Sequence, residues 1–338
     1  MRYFFNHCLT EHAHVFDMLR AADPSVHITA ANSHKGSPVR LAADTFLDDP
    51  AAGEGHAMPA GYAEWLLEAA REARADIVIP YRHRMELADF RDCFEAAGIR
   101  LLTAADRQTM TVIEQKPAFL QWAEETGIPI SPFREFSCLE TFEAAVAAFD
   151  PMAPLCIKPS SGVGAVGFRR LVDDEAPGAA AVLLGLDAMV LGKGALRRLL
   201  SLGPLSRPMM LMLYLRGPER STDFVCLDGE ILGAVTRMRS GLYQKVGDDM
   251  VSFAMATTLA RELGMSGLLN LQTRCLDDGS QVLLELNSRA AGGIGQTAPS
   301  GVNLPGLLHE ALCGRRPEVP RRAGRTVRVA RREMFLEI

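Results

Sequence analysis

The sequence predicts a mixed α/β protein, and three observations predict it. Strand-like and helix-like patterns alternate through the first hundred residues. Antiparallel hairpin signals follow in the second half, marked by Asp-Gly turns. No apolar run reaches the ~18 residues of a membrane span, the best, from Ala179 to Leu191, being interrupted by Asp187. At ~150 residues per domain, 338 residues suggest about two domains.

The elements follow in order. Arg2-Tyr-Phe-Phe5 reads as a first strand, Glu11 to Ala21 as a helix closed before Pro24, and Val26 to Ala30 as a second strand. From Ala60 to Arg74 the apolar residues Trp65, Leu66, Ala69, Ala70 and Ala73 recur on one helical face. Ile77-Val-Ile-Pro80 is a short buried strand, Met85 to Ala97 a helix closed by Gly98, and Ile99 to Leu102 a strand. This rhythm implies a parallel sheet flanked by helices.

After about residue 105 the character changes. Lys116 to Thr126 is a helix, and Gly127-Ile-Pro-Ile-Ser-Pro132 reads as an extended linker, since each proline excludes helix from its predecessor. A helix from Glu140 to Phe149, strands at Leu155–Lys158 and Phe168–Val172, and a further helical stretch follow. Strands are then expected at Met209–Leu215, Ser221–Asp228 and Glu230–Met238, and in a second hairpin pairing Leu268–Leu276 with Gln281–Leu286.

Hydrophobic residues make up 48% and charged residues 23%, a balance that excludes disorder and leaves enough apolar side chains for a large core. The 36 basic and 41 acidic residues give a net charge of −5, with no general attraction for nucleic acid. Seven scattered cysteines without a CxxC pair point to reduced thiols and no zinc site. Together with the absence of a signal-peptide core, these features lead to the expectation of a soluble, cytoplasmic protein. His12 and His14, two residues apart, do not share a helical face and are expected at the surface.

Gly162-Val-Gly-Ala-Val-Gly167 is a literal GxGxxG, but a dinucleotide fingerprint needs a helix opening at its last glycines. Here a β-pattern continues, so the glycines belong at a hairpin tip. Bare amides on such a tip can wrap phosphates, and Lys158 would add a positive charge beside them. A tight turn requiring glycine is the plain alternative.

Three further features fall in the order a single nucleotide site needs. The apolar strand Leu211–Leu215 turns out at Arg216-Gly-Pro-Glu219, so the backbone of Leu213 and Leu215 could read an adenine edge and Glu219 could accept ribose hydroxyls. Gln272 and Glu285 lie on partner strands of a hairpin. Glu285, Asn287 and Arg289 alternate, which puts them on one strand face. Oxygen ligands from Gln272, Glu285 and Asn287 suit Mg²⁺, and Arg289 could clamp a phosphoryl oxygen.

Together these motifs resemble the ATP-grasp superfamily of ATP-dependent carboxylate–amine or thiol ligases, over roughly residues 105–312. The resemblance makes Lys116 the first ATP lysine, Lys158 the second, and Ser160, Ser161, Gly162 and Gly164 the phosphate loop. Glu219 becomes the ribose acceptor, Gln272, Glu285 and Asn287 the metal ligands, and Arg289 with Lys245 the catalytic cations. It implies ATP and Mg²⁺ as cofactors, with Mn²⁺ able to substitute. The fold it implies is an ATP-grasp fold preceded by a Rossmann-like parallel α/β domain: 1–105 N-terminal domain, 106–210 lid subdomain, 211–312 catalytic subdomain, and 313–338 a basic segment forming an edge strand. Met212 stands where an acidic residue often contacts the adenine amine, and Gln272 where many members have a carboxylate.

The reaction so implied activates a carboxylate as an acyl phosphate, which an amine then attacks, releasing ADP and phosphate. The expected partners are these two small molecules, with neither nucleic acid nor membrane; the chain is compatible with a homodimer. Ligands collect at carboxyl ends of parallel strands, which nominates Asn6, His7 and Glu11 after the first strand and Tyr81, Arg82 and His83 after the fourth. Arg237, Arg239, Gly293, Ser300 and Asn303 complete the candidates, the two arginines being weighed against a solvated strand face. Two other functions fit the same fold: a non-catalytic nucleotide-binding regulatory module, favoured by Gln272 and Met212, and a small-molecule phosphotransferase.

Overall fold

The computed structural model describes residues 1–8, 10–50, 57–161, 167–173 and 189–331. Strands β1 (Arg2–Asn6), β2 (His27–Asn32), β3 (Thr45–Asp48), β4 (Ile77–Pro80) and β5 (Arg100–Leu101) alternate with helices α1 (Ala13–Ala22), α2 (Tyr62–Glu72), α3 (Arg84–Leu87) and α4 (Arg91–Ala96). The sheet is wholly parallel in the order β3-β2-β1-β4-β5. Its order reverses between β1 and β4, the place where open α/β sheets form a crevice. Strand alternation sorts its side chains: Tyr3 and Phe5 enter a core shared with α1, whereas Phe4 joins Leu66, Val78 and Phe94 under α2 and α4.

Helices α5 (Arg107–Glu114) and α6 (Lys116–Glu125) lead to β6 (Phe133–Phe136), α7 (Leu139–Ala147), β7 (Leu155–Pro159), β8 (Arg169–Val172), β9 (Val190–Gly192), α8 (Lys193–Ser201) and β10 (Met209–Leu213). These strands form a second sheet, β6-β10-β7-β8-β9. Phe136, Phe142, Ile157, Leu196 and Leu211 are at its core. Strands β11 (Arg220–Leu227), β12 (Glu230–Ser240) and β13 (Tyr243–Gly247), helix α9 (Met250–Glu262), strands β14 (Gly267–Cys275) and β15 (Gln281–Asn287), helix α10 (Leu304–Leu312), β16 (Arg321–Arg322) and β17 (Val327–Val329) follow. The third sheet runs β15-β14-β11-β12-β13-β17, with β16 beside β12.

The chain divides into two compact units. One comprises Met1–Thr111, Glu219–Gln272 and the chain from Leu286 onward; the other comprises Val112–Pro218 and Thr273–Glu285. In the first unit the N-terminal and C-terminal segments share one core, where Tyr3, Phe16, Val225, Val235, Leu304 and Leu308 are all buried.

Several expectations hold in detail. Asp228 (φ +55°) and Gly229 (φ +81°) form a two-residue turn between antiparallel β11 and β12, as an Asp-Gly hairpin requires. The strands flanking the glycine stretch, β7 and β8, pair antiparallel, and the chain runs from Phe168 into a strand and not into a helix; residues 162–166 lie outside the described residues. The segment around Val327 is an edge strand on β13. Two expectations need correction. The helix from Met85 to Ala97 is interrupted by a 3₁₀ turn at Ala88–Phe90. His12 is not at the surface but buried, its ring stacked on Tyr81 at 3.5 Å; His14 alone is exposed. Of the two readings open for Arg237, the solvated strand face does not hold, since Arg237 is buried.

Candidate functional site

In the second unit, α6 opens at Lys116 with Pro117 in its first turn, where proline costs no hydrogen bond. The Lys116 amide donates to the Ser160 carbonyl at 3.1 Å, tying the helix start to the end of β7. Its Nζ lies 3.8 Å from Glu285 Oε2, the two side chains being only 11% and 16% exposed. Lys158 Nζ donates to the Leu284 carbonyl at 3.3 Å. The two lysines therefore both reach β15, at the neighbouring residues Glu285 and Leu284. At 3.8 Å the Lys116–Glu285 pair is an ion pair longer than a hydrogen bond.

Ser160 is buried and its hydroxyl donates to Glu135 Oε1 at 2.8 Å. Ser161 is exposed, and Gly162 and Gly164 lie outside the described residues. The Leu215 carbonyl accepts from Arg274 Nη1 at 2.8 Å, and the Leu213 carbonyl from the Cys156 thiol at 3.6 Å. Beside them Tyr214 packs against Phe168, ring centroids 6.4 Å apart, and carries the Arg170 guanidinium 5.7 Å above its ring.

In the first unit a row of polar side chains crosses four neighbouring strands. Asn287 on β15 donates through Nδ2 to Asn270 Oδ1 on β14 at 3.4 Å. Asn270 Nδ2 donates to Asp223 Oδ1 at 2.9 Å and Ser221 Oγ at 3.0 Å, both on β11. Arg237 on β12 closes the row, with Nε 2.6 Å from Asp223 Oδ2 and Nη2 3.3 Å from Oδ1. Asp223 is 0% and Arg237 7% exposed. A buried carboxylate needs such a partner, because its charge is costly outside water. Gly293 is required here, as a Cβ at this position would collide with the Arg237 guanidinium. Gln272 is half-buried on β14 and Arg289 half-buried just beyond β15, its Nη1 donating to the Ala290 carbonyl at 3.0 Å.

A third group sits at the carboxyl ends of β1 and β4. Asn6 is buried; its Nδ2 donates to the Tyr62 hydroxyl and the Arg82 carbonyl, both at 3.0 Å. Its Oδ1 accepts from the Tyr81 amide at 2.7 Å and the Arg82 amide. That clamp holds the chain while His7 (φ +44°) and His83 (φ +53°) take left-handed backbone conformations. Such conformations cost energy in non-glycine residues and cluster where a fold presents a side chain for use. Burial, and then the Arg82 charge, lower the His7 pKa; burial likewise lowers that of His83. His7 Nδ1 is buried without a hydrogen-bond partner among the described residues. His12 is pulled down to about 3 by burial and then by Arg289, so this ring is neutral. Glu11 lies against Gly292, in van der Waals contact range of any Cβ placed there.

The remaining candidates are not brought to these groups. Lys245 faces Met238 while its neighbour Val246 faces Arg237, so Lys245 and Arg237 point to opposite sheet faces. Lys245 and Arg239 are both exposed. Glu219 is half-buried just before β11. Asn303 caps α10, its Oδ1 accepting from the Gly306 amide at 2.9 Å and its Nδ2 donating to the Met18 carbonyl at 2.7 Å. With Ser300 it lines a separate cavity of about 460 Å³ beside Arg321 and Arg322. A cavity lined by Tyr81, Arg84, Ser288 and Arg289 measures about 30 Å³, room for one water and not for a substrate.

Sequence reasoning missed Glu135, Arg274, Asp223 and Asn270. The signal for the last two was present: Ser221 and Asp223 interrupt β11 at period two, and Asn270 interrupts the run Leu268-Leu-Asn-Leu271. No group of three or more His, Cys, Asp or Glu among the described residues could hold a metal. The three candidates named from the sequence, Gln272, Glu285 and Asn287, are two amides and one carboxylate, each an oxygen donor of the kind a hard cation takes.

Residues 206–335 match a family model described as ATP-grasp in the biosynthetic pathway with Ter operon. Among solved structures, the L-amino acid ligase of Bacillus licheniformis superposes with a TM-score of 0.60 at 15% identity, covering 92% of this chain and 73% of that one. The biotin carboxylase domain of Hydrogenobacter thermophilus 2-oxoglutarate carboxylase, in complex with MgADP, ADP and bicarbonate, gives 0.63 at 16%, covering 94% and 71%. The N5-carboxyaminoimidazole ribonucleotide synthetase of Thermotoga maritima gives 0.60 at 12%, covering 94% and 77%. Comparison with curated proteins gives no match.

Proposed function

Given that the chain has the ATP-grasp fold, we propose that it is an ATP-dependent ligase joining a small-molecule carboxylate to an amine, with release of ADP and phosphate. The observation that supports this most is the grouping of Lys116, Lys158 and Glu285 in the second unit. Two lysines would neutralise triphosphate oxygens, and Glu285 with Gln272 and Asn287 would hold Mg²⁺. When bound, that ion spreads the negative charge of the β- and γ-phosphates. Tyr214 and the backbone near Leu213 and Leu215 would receive the adenine, and Glu219 the ribose hydroxyls.

The chemistry asks for positioning and charge neutralisation and not for a protein nucleophile. A carboxylate oxygen of the substrate attacks the γ-phosphorus, the bond to the β-phosphate oxygen breaks, and ADP leaves. Arg289 would neutralise the transferring phosphoryl group. The amine then attacks the acyl carbon and phosphate departs. His7, Arg82 and His83 at the β1/β4 crevice would orient the carboxylate substrate, the unpartnered His7 Nδ1 providing one polar contact.

The test is product analysis with a panel of carboxylates and amines. ADP and phosphate should appear only when both cosubstrates are present. AMP release would overturn the acyl-phosphate route, and a phosphorylated product without free phosphate would favour a phosphotransferase. The neutral Gln272 favours a second reading, a regulatory nucleotide-binding module. In that case ATP at ~100 times its Kd would add about 2.7 kcal/mol of stability with no turnover for any pair.

A further inference from the structure

The geometry points to Asp223 as a positioning residue that, through Asn270, fixes which end of the Asn287 amide is presented as a metal ligand. This inference rests on the proposal that Asn287 holds a divalent cation. The oxygen and nitrogen ends of an asparagine amide are almost the same shape, so only the surrounding donors and acceptors decide which end points where. An asparagine that serves a cation must direct its oxygen outward, and its NH₂ must therefore meet an acceptor.

The row across the sheet sets that direction step by step. An ionised carboxylate only accepts hydrogen bonds. Asp223 Oδ1 and Ser221 Oγ take both hydrogens of Asn270 Nδ2, at 2.9 and 3.0 Å. Turning Asn270 over would set its carbonyl oxygen against the carboxylate, so Asn270 Oδ1 is committed to the side of Asn287. There it accepts from Asn287 Nδ2 at 3.4 Å. Asn287 Oδ1 is left without a hydrogen-bond donor among the described residues. Arg237 holds the Asp223 carboxylate in place by a two-pronged contact at 2.6 and 3.3 Å. The charge at β12 and β11 thus becomes a choice of amide orientation at β15. Low local dielectric strengthens each step, since Asp223 and Asn270 are almost wholly buried.

The relay makes a prediction that simple structural support does not. Asp223→Asn can offer an NH₂ to Asn270, which then turns, and Asn287 turns with it. A carboxylate at position 287 has no nitrogen end to present, so the Asp223 substitution loses its effect in an Asn287→Asp background. The test is a double-mutant cycle on the full chain, titrating Mn²⁺ in the presence of ADP and reading free Mn²⁺ by electron paramagnetic resonance. ADP affinity without metal and thermal melting are measured alongside. In the Asn287 background, Asp223→Asn should raise the Mn²⁺ dissociation constant at least tenfold while metal-free ADP affinity stays within twofold. In the Asn287→Asp background the same substitution should change it less than threefold.

Because Asp223→Asn leaves Arg237 without its counter-charge and can unfold the chain, Asn270→Ala is run in the same cycle with the ion pair intact. It should raise the constant at least threefold beside Asn287 and leave it unchanged beside Asp. Equal losses in both backgrounds, or no loss for either folded variant, would overturn the relay. Failure of the unmodified chain to bind Mn²⁺ with ADP at all would instead overturn the proposed metal site, and the relay with it.

Discussion

The seven cysteines divide by environment. Burial raises the Cys8, Cys156 and Cys226 thiols, Cys156 to about 11, whereas Cys93 and Cys313 are exposed. Since the thiolate is the reactive form, an alkylating agent at neutral pH should modify Cys93 and Cys313 in the native protein and spare Cys8, Cys156 and Cys226 until denaturant is added; mass mapping reads the outcome. His12 supplies a second test. Its folded pKa of about 3 is far below its ordinary 6.5, so above 6.5 the ring is neutral in both states and the shift has no effect on stability. As pH falls below 6.5 the unfolded chain takes up a proton that the folded ring refuses, and stability declines toward pH 3, by up to ~1.4 kcal/mol per unit. His12→Phe, which retains ring stacking on Tyr81, should therefore flatten urea midpoints measured between pH 6.5 and 4. The burial of His12 and of Asp223 was not legible in the sequence, for one physical reason. Spacing assigns a polar residue to a face, but a stacked ring or an opposing guanidinium decides whether that face is dry.

Elements were read better where local chemistry determines them. The Asp228-Gly229 turn and the β7–β8 pair depend on backbone preferences of a few residues, and both were legible. Strand β3, helix α5 and helix α9 were not. Strand β3 has only the four residues Thr45–Asp48, and α9 carries valine and two threonines that weaken its helical signature, although Asp249 caps it through the Ser252 amide. Asn303 belongs to the same scale. Substituting Asn303→Ala removes both the α10 cap and the bond to Met18, and should cost about 1–2 kcal/mol in urea unfolding while kcat stays the same. A fall in kcat without loss of stability would place Asn303 in the substrate site instead.

At the scale of the molecule, the basic segment after Arg315 is tied to the chain's own acidic residues. Arg316 pairs with Asp228 and Glu230, and Arg322 with Asp248, while Arg328 lies 5.1 Å above the Tyr243 ring. With a net charge of −5, the protein should not shift single-stranded RNA or duplex DNA in gels at 0.15 M salt, near ~8 Å of screening length. The overall architecture was legible because β/α alternation and antiparallel hairpins are long-range patterns. The shared core was not, since the sequence gives no sign that Tyr3 will meet His309 at 3.0 Å. That closure from one end of the chain to the other governs how the protein is made. The first hundred residues leave the ribosome with Tyr3, Phe5 and Ile28 still awaiting Leu304, Leu307 and Leu308. Until synthesis has passed α10, that side of the parallel sheet has only α1 to cover it, and the nascent chain would offer the remaining apolar surface to chaperones.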